Sequence, residues 1–324
     1  MKRITILIPE GENNLSSIAG TYEILNKANN YWKSMGKKDI YTIETAGISK
    51  EVELQNSLFS IKPHTHISTI DKTYLLIIPS MNHNYDTVVK ANELLINWIE
   101  KQYKNCAEIA CICTGSFLLA STGLLDGKTC STHWAAADNF RKMFPKVDLQ
   151  TDKLITDENG IYTNGGAYSF LNLMLYLIEK YFDRPTAIYC AKIFQIEMDR
   201  SSQSAFTIFT GQKLHSDEIV KEAQNYIESK IDEKISVDYL SNMYAVSRRN
   251  FDRRFIKATG NTPIEYMQRV KVESAKKALE TSRKTINEVM YEVGYSDVKA
   301  FREVFRKITG ISPLEYKSKY NKGN

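Results

Sequence analysis

The sequence predicts a molecule in two parts: an α/β domain built on a mainly parallel sheet, then an all-α pair of helix-turn-helix units. Three observations lead there. Short β-rich runs alternate with helical patterns over roughly the first 200 residues. Near the C-terminus one pattern is used twice, fifty residues apart. The charge is also split. Residues 247–324 carry 18 Lys+Arg against 9 Asp+Glu, whereas the whole chain has a net charge of +5, so the remainder is mildly acidic. A basic segment behind an acidic one places a polyanionic partner at the C-terminal end.

In order along the chain, residues 4–8 read as a strand and 15–35 as a helix, with Ile18, Tyr22, Leu25 and Ala28 toward its inner face. Residues 41–45 read as a strand. Residues 74–78 are wholly apolar and end in Pro79-Ser80, as a strand buried on both faces would. A helix over 93–103 carries the stripe Leu94, Leu95, Trp98 and Ile99. A second buried strand, 109–113, runs at once into a helix through Leu119. Residues 134–143 are helical, 153–157 and 161–163 form a hairpin around Asn159-Gly160, and 167–181 and 186–198 form two more helices. The first domain is therefore 1–198. A polar, weakly periodic stretch, 199–216, reads as a linker, and 217–324 as the second domain.

The repeat defines that second domain. Phe251-Asp252-Arg253-Arg254-Phe255 returns as Phe301-Arg302-Glu303-Val304-Phe305. Thr259-Gly260-Asn261-Thr262-Pro263-Ile264-Glu265-Tyr266 returns as Thr309-Gly310-Ile311-Ser312-Pro313-Leu314-Glu315-Tyr316. In the first copy residues 237–243 form the supporting helix, Ser247 caps the next one, and Phe251 and Phe255 anchor it to a core. That leaves Arg248, Arg249, Asn250, Asp252 and Arg253 facing outward. In the second copy 286–293 support, Gly294 turns and Asp297 caps. Lys299, Ala300, Arg302 and Glu303 then face outward from Phe301 and Phe305. A helix over 264–280 would hold the two units about one DNA turn apart, roughly 34 Å. Arg and Lys can bond guanine edges or phosphates, and Asn suits adenine. The expected contacts to double-stranded DNA are Arg248, Arg249, Asn250, Arg253, Lys299 and Arg302.

Residues 220–320 resemble the DNA-binding domain of the AraC/XylS family of transcriptional regulators. The resemblance rests on Val293-Gly294-Tyr295-Ser296-Asp297, Phe301, Phe305, Gly310, Pro313 and Tyr316. Two positions depart from that family's pattern: Met290 stands where a small Ala is usual, and Glu303 where Arg is usual.

Ile109-Ala110-Cys111-Ile112-Cys113-Thr114-Gly115-Ser116 places a thiol where a strand turns into a helix. Such an elbow exposes its side chain beside helix amides that favour a thiolate. Cys113 is accordingly expected to be more reactive than Cys106, Cys111, Cys130 or Cys190. With Gly123-Leu124-Leu125-Asp126-Gly127-Lys128 and Ser131-Thr132-His133-Trp134, residues 3–198 resemble the ThiJ/PfpI superfamily. The closer likeness is to the GlxA-type regulators, which join such a domain to an AraC/XylS reader. The resemblance implies a flavodoxin-like sheet with helices on both faces, with Cys113 at the family's elbow and His133 at its downstream histidine.

Enzymes of that superfamily pair the thiol with a carboxylate from the loop after the first strand. Here Ser16 stands near that place, Glu10 and Glu12 fall out of register, and Thr114 follows the thiol where a histidine is often found. Covalent catalysis lacks its base and its orienting acid. The expectation is no catalytic residue, and a pocket for an unknown small-molecule effector at Cys113, Thr114, His133 and Ser16. A cysteine-dependent hydrolase or glyoxalase-like enzyme and a Cys113 redox sensor are the alternatives. His64, His66, His83 and His215 read as surface or loop residues. No metal or other cofactor is expected, since no paired Cys/His ligand set exists. The five cysteines read as reduced thiols of a cytoplasmic protein, no run approaches the ~18 apolar residues of a membrane span, and a homodimer is expected.

Overall fold

The computed structural model describes residues 2–38, 41–81, 84–198, 200 and 202–321. They divide into two compact units, Met1–Gln203 and Ser204–Asn324. His83 lies outside the described residues, as do Asp199 and Ser201 of the expected linker.

The strands of the first unit are β1 (Lys2–Ile8), β2 (Tyr41–Gly47), β3 (Val52–Leu54), β4 (Phe59–Ile61), β5 (Thr65–His66), β6 (Leu75–Ile78), β7 (Glu108–Ile112), β8 (Thr129–Cys130), β9 (Asp148–Leu149), β10 (Ile155–Glu158) and β11 (Ile161–Asn164). Seven of them make one sheet in the order β10-β11-β7-β6-β1-β2-β5. All its pairings are parallel except the β10/β11 hairpin. Asn159 and Gly160, at φ 54° and 74°, form the hairpin's two-residue turn.

Its helices are α1 (Leu15–Ser34), α2 (Tyr85–Ala91), α3 (Glu93–Lys104), α4 (Ser116–Ser121), α5 (Ala137–Met143), α6 (Phe170–Tyr181) and α7 (Arg184–Phe194). Successive strand residues point to opposite faces, and the buried residues sort accordingly. Ile4, Ile6, Ile8, Leu75, Ile77, Ala110 and Ile112 pack with Ile18 and Leu25 of α1, Leu173 and Leu177 of α6, and Cys190 of α7. Leu7, Leu76, Ile78, Ile109 and Cys111 pack with Val88, Leu95, Ile99, Phe117 and Phe140 on the other face. Both faces are covered, which is why the central strands are apolar without alternation. No helix among the described residues is long and apolar enough to cross a membrane.

Three details depart from the sequence reading. Helix α2 and the short strands β3, β4, β5, β8 and β9 have no counterpart in the sequence pattern. Helix α7 stops at Phe194, because Gln195 turns left-handed at φ 54°. Leu94 is 66 % exposed. The buried positions of α3 are Leu95, Trp98, Ile99 and Gln102, and Leu94 lies one step off that stripe.

The second unit contains α8 (Glu218–Ser229), α9 (Val237–Met243), α10 (Arg248–Thr259), α11 (Pro263–Thr281), α12 (Ile286–Glu292), α13 (Val298–Thr309) and α14 (Pro313–Tyr320). Helices α9/α10 and α12/α13 are the two helix-turn-helix pairs. Each has its own core, around Phe251, Phe255 and Tyr266 in one and around Phe301, Phe305 and Tyr316 in the other. Helix α11, 19 residues long, spans roughly 28 Å between them. Capping boxes at Thr262, Thr285 and Ser312 start α11, α12 and α14.

Residues 204–216, read from sequence as part of a linker, cluster with this helical unit. Phe209 packs against the first core. Its amide donates to Glu273 Oε2 at 3.1 Å, while Lys276 Nζ bonds the Thr207 carbonyl and lies 2.7 Å from the same Glu273 oxygen. Lys213 pairs with Glu228 at 2.9 Å, and Gln224 Nε2 donates to the Gln212 carbonyl at 3.0 Å. These long-range polar bonds leave no periodic trace in the sequence.

Candidate nucleic-acid interface and thiol elbow

The two recognition helices begin and end alike. Ser247 Oγ accepts from the Asn250 amide at the start of α10, and Asp297 Oδ1 from the Ala300 amide at 2.6 Å at the start of α13. Gly260 and Gly310, at φ 69° and 80°, terminate them. Phe251, Phe255, Phe301 and Phe305 are fully buried, which fixes the opposite side of each helix as its outer face.

The outer faces differ. On α10, Arg249 and Arg253 are exposed, whereas Arg248 and Asn250 are half-buried. Arg248 is held by Asp238 at 3.0 Å and Asp252 at 3.1 Å, two acids that raise its pKa. Arg253 donates to Asn250 Oδ1 at 3.1 Å, pairing two of the sequence candidates. Arg254 forms a two-pronged bond to Asp217 at 2.8 and 2.7 Å, tying α10 to the start of α8. On α13, Lys299 and Arg302 are exposed, and among the described residues neither makes a side-chain hydrogen bond or ion pair. Arg306 and Lys307 are exposed as well. Lys299, Arg302 and Arg306 fall at i, i+3 and i+7, a single basic stripe. Arg306, outside the expected contacts, lies on the same helical spacing as Lys299 and Arg302.

In the first unit Cys113 takes φ 54°, the left-handed corner an elbow requires. Gly115 makes the corner possible: a Cβ there would lie 2.5 Å from the Pro79 carbonyl oxygen. The surroundings of the thiol contradict the expected exposure. Cys113 is 3 % exposed, and burial pushes its pKa up. Hydrogen bonds from the Ser80 and Thr114 hydroxyls and from the Thr114 and His133 amides pull the other way without reversing the shift. The elbow sets the backbone, but what covers the side chain decides the ionisation. Cys106 is the exposed cysteine, while Cys111, Cys130 and Cys190 are buried.

Thr114 is locked by bonds to the Ser80 hydroxyl at 3.0 Å and to the Met81 amide at 2.9 Å. His133 Nδ1 accepts from the Ala135 amide at 3.1 Å. Thr132 Oγ1 donates to the Cys113 carbonyl at 3.1 Å. Ser16 faces elsewhere, 3.3 Å from the Tyr168 hydroxyl. Its neighbour Ser17 is the residue that reaches toward the elbow, accepting from the Ser80 amide at 3.1 Å. Among the described residues, the hydrogen bonds that lower the thiol's pKa come from hydroxyls and backbone amides. No group of three or more His, Cys, Asp or Glu side chains able to hold a metal ion occurs among the described residues.

The model of the DJ-1/PfpI family matches residues 2–180. The chain belongs to the DJ-1/PfpI family. A helix-turn-helix domain model matches residues 240–319, the AraC-type reader that the repeat outlines. Among curated relatives, the HTH-type transcriptional regulator GbdR of Pseudomonas aeruginosa is 27 % identical over 221 residues, 68 % of this chain and 60 % of GbdR. The HTH-type transcriptional regulator GlxA of Rhizobium meliloti is 24 % identical, over 62 % of each chain. This chain therefore spans about three-fifths of the length of those relatives. A crystal structure of a candidate transcriptional regulator protein from Vibrio parahaemolyticus matches at TM-score 0.53 and 25 % identity, covering 59 % of this chain and 98 % of that one.

Proposed function

We propose that this DJ-1/PfpI-family protein is a sequence-specific DNA-binding transcriptional regulator whose activity is set by a small-molecule effector in its first unit. One observation carries the reading: two capped helices, each anchored by a Phe pair, present basic residues outward from the two ends of α11. Arg249, Asn250, Arg253, Lys299 and Arg302 touch DNA, joined by Arg306. Arg248, committed to Asp238 and Asp252, contributes by orienting the start of α10 and reaches phosphate only if it leaves those acids.

The first unit serves as sensor and homodimerisation module of a cytoplasmic protein. The effector binds at the strand ends beside Cys113, Thr114 and His133, where α/β folds hold ligands. The first unit acts as a binder rather than an enzyme: the thiol is buried with a raised pKa, and the hydrogen bonds it receives among the described residues come from hydroxyls and amides, not from a general base. The same burial disfavours the redox-sensor reading.

The test is binding of the full chain to duplex DNA, followed by fluorescence anisotropy across a salt series. Each phosphate neutralised steepens the slope of log K against log salt by about 0.9. A steep slope, together with enrichment of one sequence from a random duplex pool, is the expected result. Affinity that stays flat with salt would overturn the proposal.

A further inference from the structure

Two separate cores leave open what fixes the angle and spacing between the two recognition helices. Helix α11 alone is a rod about which either half can swing. Lys271, midway along it, supplies a cross-brace. Its ammonium donates to the Ile231 carbonyl at 2.6 Å and the Glu233 carbonyl at 3.1 Å, in the loop that leads into α9. It also donates to the Val293 carbonyl at 2.9 Å, at the end of α12 in the other half. An ammonium has three protons, and here all three are spent on backbone carbonyls drawn from both half-modules.

The surroundings fit a dedicated clamp. Burial lowers the Lys271 pKa, so its charge is held in place by those carbonyl dipoles rather than by water. Gly294, next to the third acceptor, is at φ 72°; a Cβ there would run into the Asp232 carbonyl and come within 2.7 Å of Nζ. Ile231, whose carbonyl is the first acceptor, packs against both cores. The turn of the second half, the loop of the first and the connecting helix therefore meet at one side chain.

We infer that Lys271 is the positioning residue that sets the spacing between the two recognition helices, and with it the separation of the two half-sites the protein accepts. The inference rests on the DNA-binding reading for its second clause only.

The experiment uses the full chain carrying Cys106→Ser, with nitroxide labels at Lys257→Cys and Lys307→Cys on the exposed faces of α10 and α13. Electron–electron distance measurements without DNA should give one narrow peak. Lys271→Met should lose that peak for a broad distribution while far-ultraviolet circular dichroism is unchanged. Lys271→Gln, which keeps part of the donor set, should fall between the two and covers the case in which the Met variant does not fold. An unchanged narrow peak in folded variants would overturn the inference. In a second arm, selection from random duplexes should return two motifs at one spacing for the parent chain, and the same motifs at scattered spacings for Lys271→Met. Retention of a single spacing would also overturn it. If the parent enriches no sequence, the DNA-binding reading falls, while the label distances still decide the role of Lys271.

Discussion

Replacing Lys276 with Met tests whether residues 204–209 belong to the helical unit energetically as well as geometrically. Lys276 is 4 % exposed and Glu273 8 %, so the pair is buried on α11. Their oxygen and nitrogen lie 2.7 Å apart, and between them they bond the Thr207 carbonyl and the Phe209 amide. Met fills similar space but leaves the Glu273 carboxylate buried with one amide as its remaining donor. Breaking a buried pair by removing one partner costs about 3–5 kcal/mol. A domain of this size holds about 5–15 kcal/mol in total. At roughly 4–8 °C per kcal/mol, somewhat less for a unit above 100 residues, the thermal midpoint should fall by on the order of 15 °C. The assay separates the units cleanly, because all three tryptophans (Trp32, Trp98 and Trp134) lie in the first. Circular dichroism should show an early helical transition in Lys276→Met, with the tryptophan transition unmoved. Adding Glu273→Leu should recover most of the loss, since an apolar pair removes the stranded charge. A shift under about 1 kcal/mol, or equal movement of both probes, would refute the reasoning, because surface-like pairs contribute only that much.

Three further outcomes follow from particular contacts. Iodoacetamide should label exposed Cys106 first and leave Cys113 largely unmodified in the native chain, as read by peptide mass; preferential labelling of Cys113 would contradict its burial. Ala245 sits at φ 52° in the first turn, where the second turn has Gly294; Ala245→Gly should stabilise the helical unit by about 1 kcal/mol in urea titration, and destabilisation would show that the left-handed strain is not there. The Arg254 guanidinium bonded to Asp217 lowers that carboxyl's pKa. The stabilisation it brings is full above the unfolded value of about 3.9 and is lost as pH falls through the lower folded value. Arg254→Met should therefore flatten the acid limb of the helical unit's stability curve, and an unchanged limb would assign acid sensitivity elsewhere.

The parts of the fold that read correctly from sequence are those governed by local chemistry. Apolar runs such as residues 75–78 announce strands buried on both faces, Asn159-Gly160 announces a two-residue hairpin, and Ser247 and Asp297 announce helix starts. The duplicated Phe pairs located both recognition helices, because identical spacing demands identical burial. What stayed hidden depends on distant partners. The acids on Arg248 come from Asp238, on the preceding helix, as well as from Asp252 in its own. The strap 204–209 is held by Glu273 and Lys276, more than sixty residues away. The elbow pattern told the backbone angle of Cys113 but not that Ser80, Thr114 and the His133 amide enclose its thiol. Ser16 was placed one residue off, since only the packing against Ser80 shows Ser17 to be the inward hydroxyl.

The two half-modules share a fold and differ in how their polar faces are prepared, which leads to a last prediction about recognition. On α10 three of the four candidate readers are already tied, with Arg249 exposed beside them: Asn250 accepts from Arg253, and Arg248 is clamped by two acids. Side chains held in place lose less rotamer freedom on binding, about 0.5–1.5 kcal/mol less for each one already immobilised. They suit directional bonds to base edges, where a good bidentate contact discriminates by about 1–3 kcal/mol. On α13, Lys299 and Arg302 stand in solvent without partners among the described residues, and the exposed Glu303, next to Arg302 in sequence and one turn on from Lys299, opposes close approach to an acceptor-rich edge. Untethered cations beside a carboxylate suit phosphates, which attract charge from any direction. In duplexes enriched from a random pool, the half-site under α10 should therefore carry more sequence information than the half-site under α13. Arg253→Ala should relax base choice in the first half-site, whereas Arg302→Ala should weaken all sequences alike and reduce the salt slope by about 0.9. Equal information in the two halves, or base-selective loss from Arg302→Ala, would show that α13 reads bases despite its unprepared face.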